Sequence, residues 1–267
     1  METTNLQIAI IGAGNMGGAI ARGLSKGDRI NTKNIRVSDV SQANLNALKA
    51  HSPEITVSNS NVEVIKEADI IILAVKPWLV KIVADEIQHK IDYKKQIVVS
   101  IAAGVNFEQL TDFFDTDATL FRVIPNTAID VLQSVSTIAS FHADKEEEEL
   151  IVSLFSDLGK SYLVPESNLN AFMSLSSCGI AYAFRYIRAA TEGGVEMGIY
   201  ANVAKEVVIQ TLRGAIELLE ANDSHPEVEI DKVTTPGGIT IKGLNEMEAN
   251  GFSNAVIKGL KASLIKS

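Results

Sequence analysis

The sequence predicts an α/β fold: a doubly wound parallel sheet with helices on both faces, followed by an all-helical C-terminal domain. Three observations predict it. Short β-branched runs alternate with amphipathic segments through the first two-thirds of the chain. The first of these runs stops at glycines spaced G-x-G-x-x-G, and a helical pattern opens at once. After about residue 166 the β-branched runs end, and long stretches rich in Ala, Leu, Glu and Met take over.

The elements follow in order. Strands are expected at 7–11, 34–38, 55–57, 69–75 and 96–101, with helices between them at 15–25, 41–50, 61–66 and 79–89. Further strands are expected at 119–124, 135–141 and 161–164. Asp144-Lys145-Glu146-Glu147-Glu148-Glu149 reads as a helix N-cap and first turn, where carboxylates suit the helix dipole. The late helices are expected at 167–197, 201–221, 239–248 and 253–265, interrupted in their second half by Thr234-Thr235-Pro236-Gly237-Gly238. This divides the chain into a nucleotide-binding domain, 1–164, and a helical domain, 165–267. Helices 167–197 and 201–221 carry more apolar surface than one small bundle needs, so a homodimer through the C-terminal half is expected, with an assembly of dimers left open.

Composition narrows the function. Of 267 residues 46% are hydrophobic and 21% charged, as in a soluble globular protein. A net charge of −9 argues against nucleic acid or an anionic membrane as the main partner. The single cysteine, Cys178, excludes an intrachain disulfide framework. The four histidines have no ligand-like spacing, so no metal is expected. No secretory leader or membrane-length apolar run is visible, and a cytoplasmic location is expected.

The chemistry starts at Gly12-Ala13-Gly14-Asn15-Met16-Gly17. Gly12 permits a tight turn, Gly14 lets the backbone approach a pyrophosphate, and Gly17 lets the helix lie close on the strand. The helix N-terminus then offers N–H donors and partial positive charge to the phosphates. This is the fingerprint of a Rossmann-type dinucleotide site, binding NADPH or NADH. Asp39, 22 residues after Gly17, stands where an acidic side chain accepts hydrogen bonds from the adenosine ribose and disfavours a 2′-phosphate. It reads equally as an N-cap or turn aspartate before Ser41. No arginine lies at 38–42, so the choice between the two cofactors stays open. Ala74-Val75-Lys76-Pro77 and Ile101-Ala102-Ala103-Gly104 end the fourth and fifth strands, at the sheet edge where such folds hold ligands. Lys76 suits a solvated strand end or a groove wall, and the small residues suit either a flat ring or ordinary packing.

The order GAGNMG (12–17), Asn61, AVKP (74–77), SIAAG (100–104), RVIPNT (122–127), AY (181–182), EGGVEMG (192–198) and HPEVEIDKVTTPGGITIKGL (225–244) resembles the pyrroline-5-carboxylate reductase family over nearly the whole chain. The last block is the most specific, since a generic dinucleotide-binding protein has no reason to carry it. The resemblance implies reduction of the cyclic imine 1-pyrroline-5-carboxylate to L-proline, the last step of proline biosynthesis. It also implies a dimer of interleaved helices, each site combining the cofactor domain of one subunit with helices of the other. It assigns the glycine loop, Asn61, the 74–77 turn and Ile101, Ala102 and Ala103 to the cofactor, and Glu166, Ile239 and Thr240 to the substrate. The chain departs from the family's usual pattern at Ala128, Asn170, Ser177 and Ile180.

The substrate is a small carboxylate with a C=N bond that accepts hydride. Free N–H groups at Gly237, Gly238 and Ile239, with the hydroxyls of Thr235 and Thr240, suit its carboxylate, and by the resemblance Thr240 faces the ring nitrogen. Without that resemblance the same loop is an ordinary helix–helix turn. Two other readings are a β-hydroxyacid dehydrogenase-like enzyme and a non-catalytic dinucleotide-binding paralogue. Against the first, 174–191 holds Arg185 and Arg188 but no lysine.

Overall fold

The computed structural model describes residues 5–27 and 29–264, so the extreme N-terminus and the expected last residue of helix 253–265 lie outside the described residues. The chain divides into two compact units that meet between Ser177 and Cys178.

The first unit is an eight-stranded sheet of β1 (Ile8–Ile11), β2 (Ile35–Ser38), β3 (Thr56–Ser58), β4 (Ile70–Leu73), β5 (Ile97–Ser100), β6 (Leu120–Ile124), β7 (Ser134–Phe141) and β8 (Gly159–Leu163). The spatial order is β3-β2-β1-β4-β5-β6-β7-β8. The chain order therefore reverses beside β1, which opens a crevice at the carboxyl ends of β1 and β4. Helices α1 (Asn15–Lys26), α2 (Gln42–His51), α3 (Asn61–Ile65), α4 (Val80–Ile87), α5 (Phe107–Phe113), α6 (Lys145–Ser156) and α7 (Leu169–Met173) cover it. Two cores result from the two-residue period of the strands. Ile8, Ile10, Ile70 and Ile72 face Ile20 and Leu24 of α1, Leu45 of α2 and Phe155 of α6. Ala9, Ile11, Ile71 and Leu73 face Val64 of α3, Ala84 of α4, Leu110 of α5 and Met173 of α7.

The structure corrects one expectation and adds detail to two others. The sheet is not wholly parallel, because β7 pairs with β6 antiparallel. The link between them holds only a 3-10 turn, Thr127–Val131, and is too short for the crossover that a parallel neighbour requires. The expected helix 167–197 forms as one uninterrupted run, α7 passing through a π segment (Ser174–Cys178) into α8 (Gly179–Glu196), with a 3-10 turn (Glu166–Asn168) before it. In the π segment the Ser176 hydroxyl donates to the Phe172 carbonyl at 2.8 Å, and Asn126 Nδ2 donates to the Ser176 carbonyl at 3.4 Å, so side chains take acceptors that a regular helix would use. Leu169 and Met173, at the start of the expected helical domain, are buried in the sheet's second core.

Two helices were not expected. Helix α5 carries a full capping box, Asn106 with Gln109. Helix α10 (Pro226–Val233) is capped by His225 with proline in its first turn. The Asp144 cap is as expected, with a capping box to Glu147.

The second unit consists of α8, α9 (Ala201–Asn222), α10, α11 (Ile239–Ala249) and α12 (Phe252–Ala262). Helices α8 and α9 approach closely where Gly194 faces Ala204; a Cβ on Gly194 would stand 2.9 Å from that of Ala204. Much apolar surface stays uncovered on the single chain, including Phe184, Val195, Val207, Ile216 and Leu218. No described helix is long and apolar enough to cross a membrane.

Candidate active site

The first crevice is built by the turn after β1. Gly12 has φ +106°, and a Cβ there would lie 2.5 Å from the Ala74 carbonyl oxygen, so only glycine fits the turn. Gly17 is equally constrained: its Cβ would fall 1.9 Å from the Gly12 carbonyl oxygen and 2.8 Å from Ala74 Cβ. Gly14 differs. A Cβ there meets no atom within 4 Å, so the space above it is open to a ligand. Gly14 is the N-cap of α1 and provides no side-chain cap, which leaves the first-turn N–H groups, those of Asn15, Met16 and Gly17 among them, without intrahelical partners. Open space over uncapped N–H groups fits a pyrophosphate.

Asp39 sits just beyond β2. Its Oδ2 accepts the Ala13 N–H at 2.6 Å, and its Oδ1 accepts the Ser41 N–H at 2.7 Å. The N-cap of α2 is Ser41, so Asp39 is a turn residue whose carboxylate is tied to the glycine loop. Asn61 opens α3; its Oδ1 accepts from the Ser38 hydroxyl at 2.7 Å and its Nδ2 donates to Glu86 at 2.7 Å. The 74–77 segment leaves β4 beside this loop, with Ala74 N–H donating to the Ile11 carbonyl at 2.8 Å and Pro77 opening a 3-10 turn capped by exposed Lys76. Val75 Cγ1 would lie 3.3 Å from a Cβ on Gly12. Ile101 N–H donates to the Leu73 carbonyl at 3.1 Å, Ala102 is buried, and Ala103 is exposed. The glycine loop, Asp39, Asn61, the 74–77 turn and the 101–103 segment thus share one edge of one sheet.

Glu166 stands further along, after β8. Its Oε1 accepts from Arg122 Nη1 at 2.6 Å and from the Phe107 N–H at 2.7 Å. Sequence reasoning missed Arg122, which is buried on β6 beside Ser100. An arginine inside an apolar strand was the available signal.

Thr235, Gly237, Gly238, Ile239 and Thr240 lie in the second unit. Gly238 N–H donates to the Thr235 carbonyl at 2.9 Å, Gly237 has φ +72°, and Gly238 caps α11 without a side chain. A Cβ on Gly238 would lie 2.5 Å from Thr235 Oγ1, so a side chain there would push the Thr235 hydroxyl aside. Ile239 is 87% exposed, and the Thr235 and Thr240 side chains are exposed too. The turn therefore presents uncapped N–H groups and two hydroxyls together. Among the described residues no cluster of His, Cys, Asp or Glu is placed to hold a metal ion.

Residues 166–267 match the family model for pyrroline-5-carboxylate reductase dimerisation, and residues 7–104 match that for coenzyme F420-dependent NADP oxidoreductase. The pyrroline-5-carboxylate reductase of Methanosarcina acetivorans is 36% identical over 264 residues, covering 97% of this chain and 97% of the relative. The chain belongs to the pyrroline-5-carboxylate reductase family. Pyrroline-5-carboxylate reductase 1 of Dictyostelium discoideum is also 36% identical, over 97% of this chain, but the chain spans about half (49%) of that relative's length. Among solved structures, Plasmodium falciparum pyrroline carboxylate reductase with NADP bound superposes with a TM-score of 0.89 at 25% identity, covering 98% of this chain and 97% of that one. The helical part of this member is thus a reductase dimerisation domain, joined to a dinucleotide-binding sheet of the same family.

Proposed function

We propose that this protein reduces 1-pyrroline-5-carboxylate to L-proline as an NAD(P)H-dependent, cytoplasmic homodimer, with an assembly of dimers compatible with the same surface. The observation that carries the reading is the pairing of two features in one family member. One is a phosphate cradle made by Gly12, Gly14, Gly17 and Asp39. The other is a helix-opening turn at Thr235–Thr240 with anion-seeking N–H groups and hydroxyls.

The division of labour follows from chemistry. The glycine loop and α1 hold the cofactor's pyrophosphate, Asp39 holds its ribose, and Asn61 with the 74–77 and 101–103 segments walls the groove. A reduced nicotinamide bound there supplies hydride to a neighbouring C=N carbon. The Ile239 N–H and the Thr235 hydroxyl bind the substrate carboxylate, while the Gly238 N–H holds the turn closed on the Thr235 carbonyl. The Thr240 hydroxyl donates to the ring nitrogen, and the small side chains of Ala102 and Ala103 leave room for a flat ring. A cyclic imine is basic enough to arrive partly protonated, so positioning and electrostatics supply most of the rate. The exposed apolar faces of α8 and α9 bury against a second copy, and the two sets of groups meet their ligands in that dimer.

The test follows the absorbance of reduced cofactor as purified protein is mixed with pyrroline-5-carboxylate. Substrate-dependent oxidation with proline as product is expected. A dimeric protein that binds cofactor yet gives no proline would overturn the reading and leave a non-catalytic paralogue.

A further inference from the structure

The choice between NADH and NADPH, open in the sequence, is decided around Asp39. We infer that the site selects NADH and that Asp39 is the specificity-determining residue. This rests on the cofactor site proposed above and on the charges surrounding it.

The Asp39 carboxylate is not a mobile surface group. Ala13 N–H and Ser41 N–H hold both its oxygens, and Asn44 Nδ2 adds a longer contact at 3.3 Å. The negative charge is therefore fixed against the glycine loop, beside the position of the adenosine ribose. Oδ1 keeps a lone pair for a ribose hydroxyl. A 2′-phosphate carries nearly two negative charges and accepts but does not donate, so it meets repulsion where the hydroxyl meets an acceptor.

A cation nearby would reverse this, and the loops hold none. Residues 39–44, after β2, and 59–63, after β3, contain no Lys or Arg. They add a second carboxylate, Glu63, which accepts from the Ser58 hydroxyl at 2.7 Å, and Glu86 reaches in to Asn61. Three cations on the flanking elements are engaged elsewhere. Arg36 pairs with Glu67, Lys33 with Glu54, and Lys49 donates to the Ile55 carbonyl. Lys76 follows β4, on the far side of β1 from β2. Val40, beside Asp39, is 95% exposed and offers no charge. One relative is crystallised with NADP, but these loops lack the basic side chains that a 2′-phosphate calls for.

The experiment measures calorimetric Kd for NADH and NADPH on the full-length protein, alongside kcat/KM for each with pyrroline-5-carboxylate. The parent is expected to favour NADH by about tenfold or more in both readouts. Val40→Arg leaves the Asp39–Ala13 bond in place and adds a cation. It is expected to tighten NADPH by roughly tenfold while holding NADH within about threefold. Equal or tighter binding of NADPH by the parent overturns the inference. So does a Val40→Arg variant that changes both cofactors alike. Binding reads the preference even without turnover, so a missing reaction counts against the proposed function alone.

Discussion

Arg122 and Glu166 lie 44 residues apart in sequence and 2.6 Å apart in space, and the same Glu166 oxygen also receives the Phe107 N–H. One carboxylate therefore joins β6, the start of α5 and the turn that leads into α7. Arg122 pairs in register with Ser100, the residue before the 101–103 segment, so the pair braces the end of β5, beside the groove wall proposed above. Only 7% of the Arg122 side chain is exposed, against 35% for Glu166. Removing the carboxylate strands a buried guanidinium. Glu166→Ala is expected to cost roughly 2–4 kcal/mol in urea unfolding. A loss under about 1 kcal/mol would show that the clamp is not holding the wall.

Gly14 and Gly17 separate ligand binding from folding. Gly17→Ala drives a methyl into the Gly12 carbonyl and is expected to cost about 3 kcal/mol or more, with cofactor binding lost. Gly14→Ala meets nothing in the protein. It should unfold within about 1 kcal/mol of the parent, yet bind cofactor at least about tenfold more weakly, because its methyl occupies the phosphate's space. Calorimetric Kd and unfolding midpoints on both variants check this. Unchanged cofactor affinity in Gly14→Ala would move the pyrophosphate elsewhere.

Thr240 is exposed in the first turn of α11, so its removal should leave stability unchanged. Thr240→Ala is expected to lower kcat for pyrroline-5-carboxylate by about tenfold or more, equal to about 1.4 kcal/mol of transition-state stabilisation. Thr240→Ser should retain most of it. Turnover by the alanine variant within about threefold of the parent would remove the donor role.

Glu229 links the end of α9 to α10. Its carboxyl is held below the ordinary carboxylate range by hydrogen bonds from Lys232 and Ser224, with Asn222 contributing less. A depressed folded pKa gives stability that is full above the unfolded value and is lost as pH falls through the folded one. Glu229→Gln should therefore destabilise the helical unit at pH 7, and the gap should close in acid. A gap that persists at low pH would mean packing, not charge, is responsible.

The glycine loop was legible because its requirement is local: a tight turn, an open Cβ position and an N-terminal helical turn lie within six residues. The α6 cap was legible for the same reason. Asp39 was found by spacing, but its grip on the Ala13 and Ser41 N–H groups was not legible there. Glu166 was placed by family pattern, while its partner Arg122 went unnoticed, because an ion pair across 44 residues leaves no periodic trace. Helix α5 was missed although Asn106 and Gln109 carry its capping signal.

By itself the sequence determined the alternation of strand and helix, the phosphate-binding turn, the helical second half and the family. Each of these is written in short-range periodicity or in motifs a few residues long. Only the tertiary structure decided that β7 runs antiparallel to β6, that the long helix widens to a π segment at Ser174–Cys178, and that Asp39 and Glu166 have their present partners. Those outcomes depend on how far a link can reach and which buried polar groups find each other, and such distances exist only once the chain has folded.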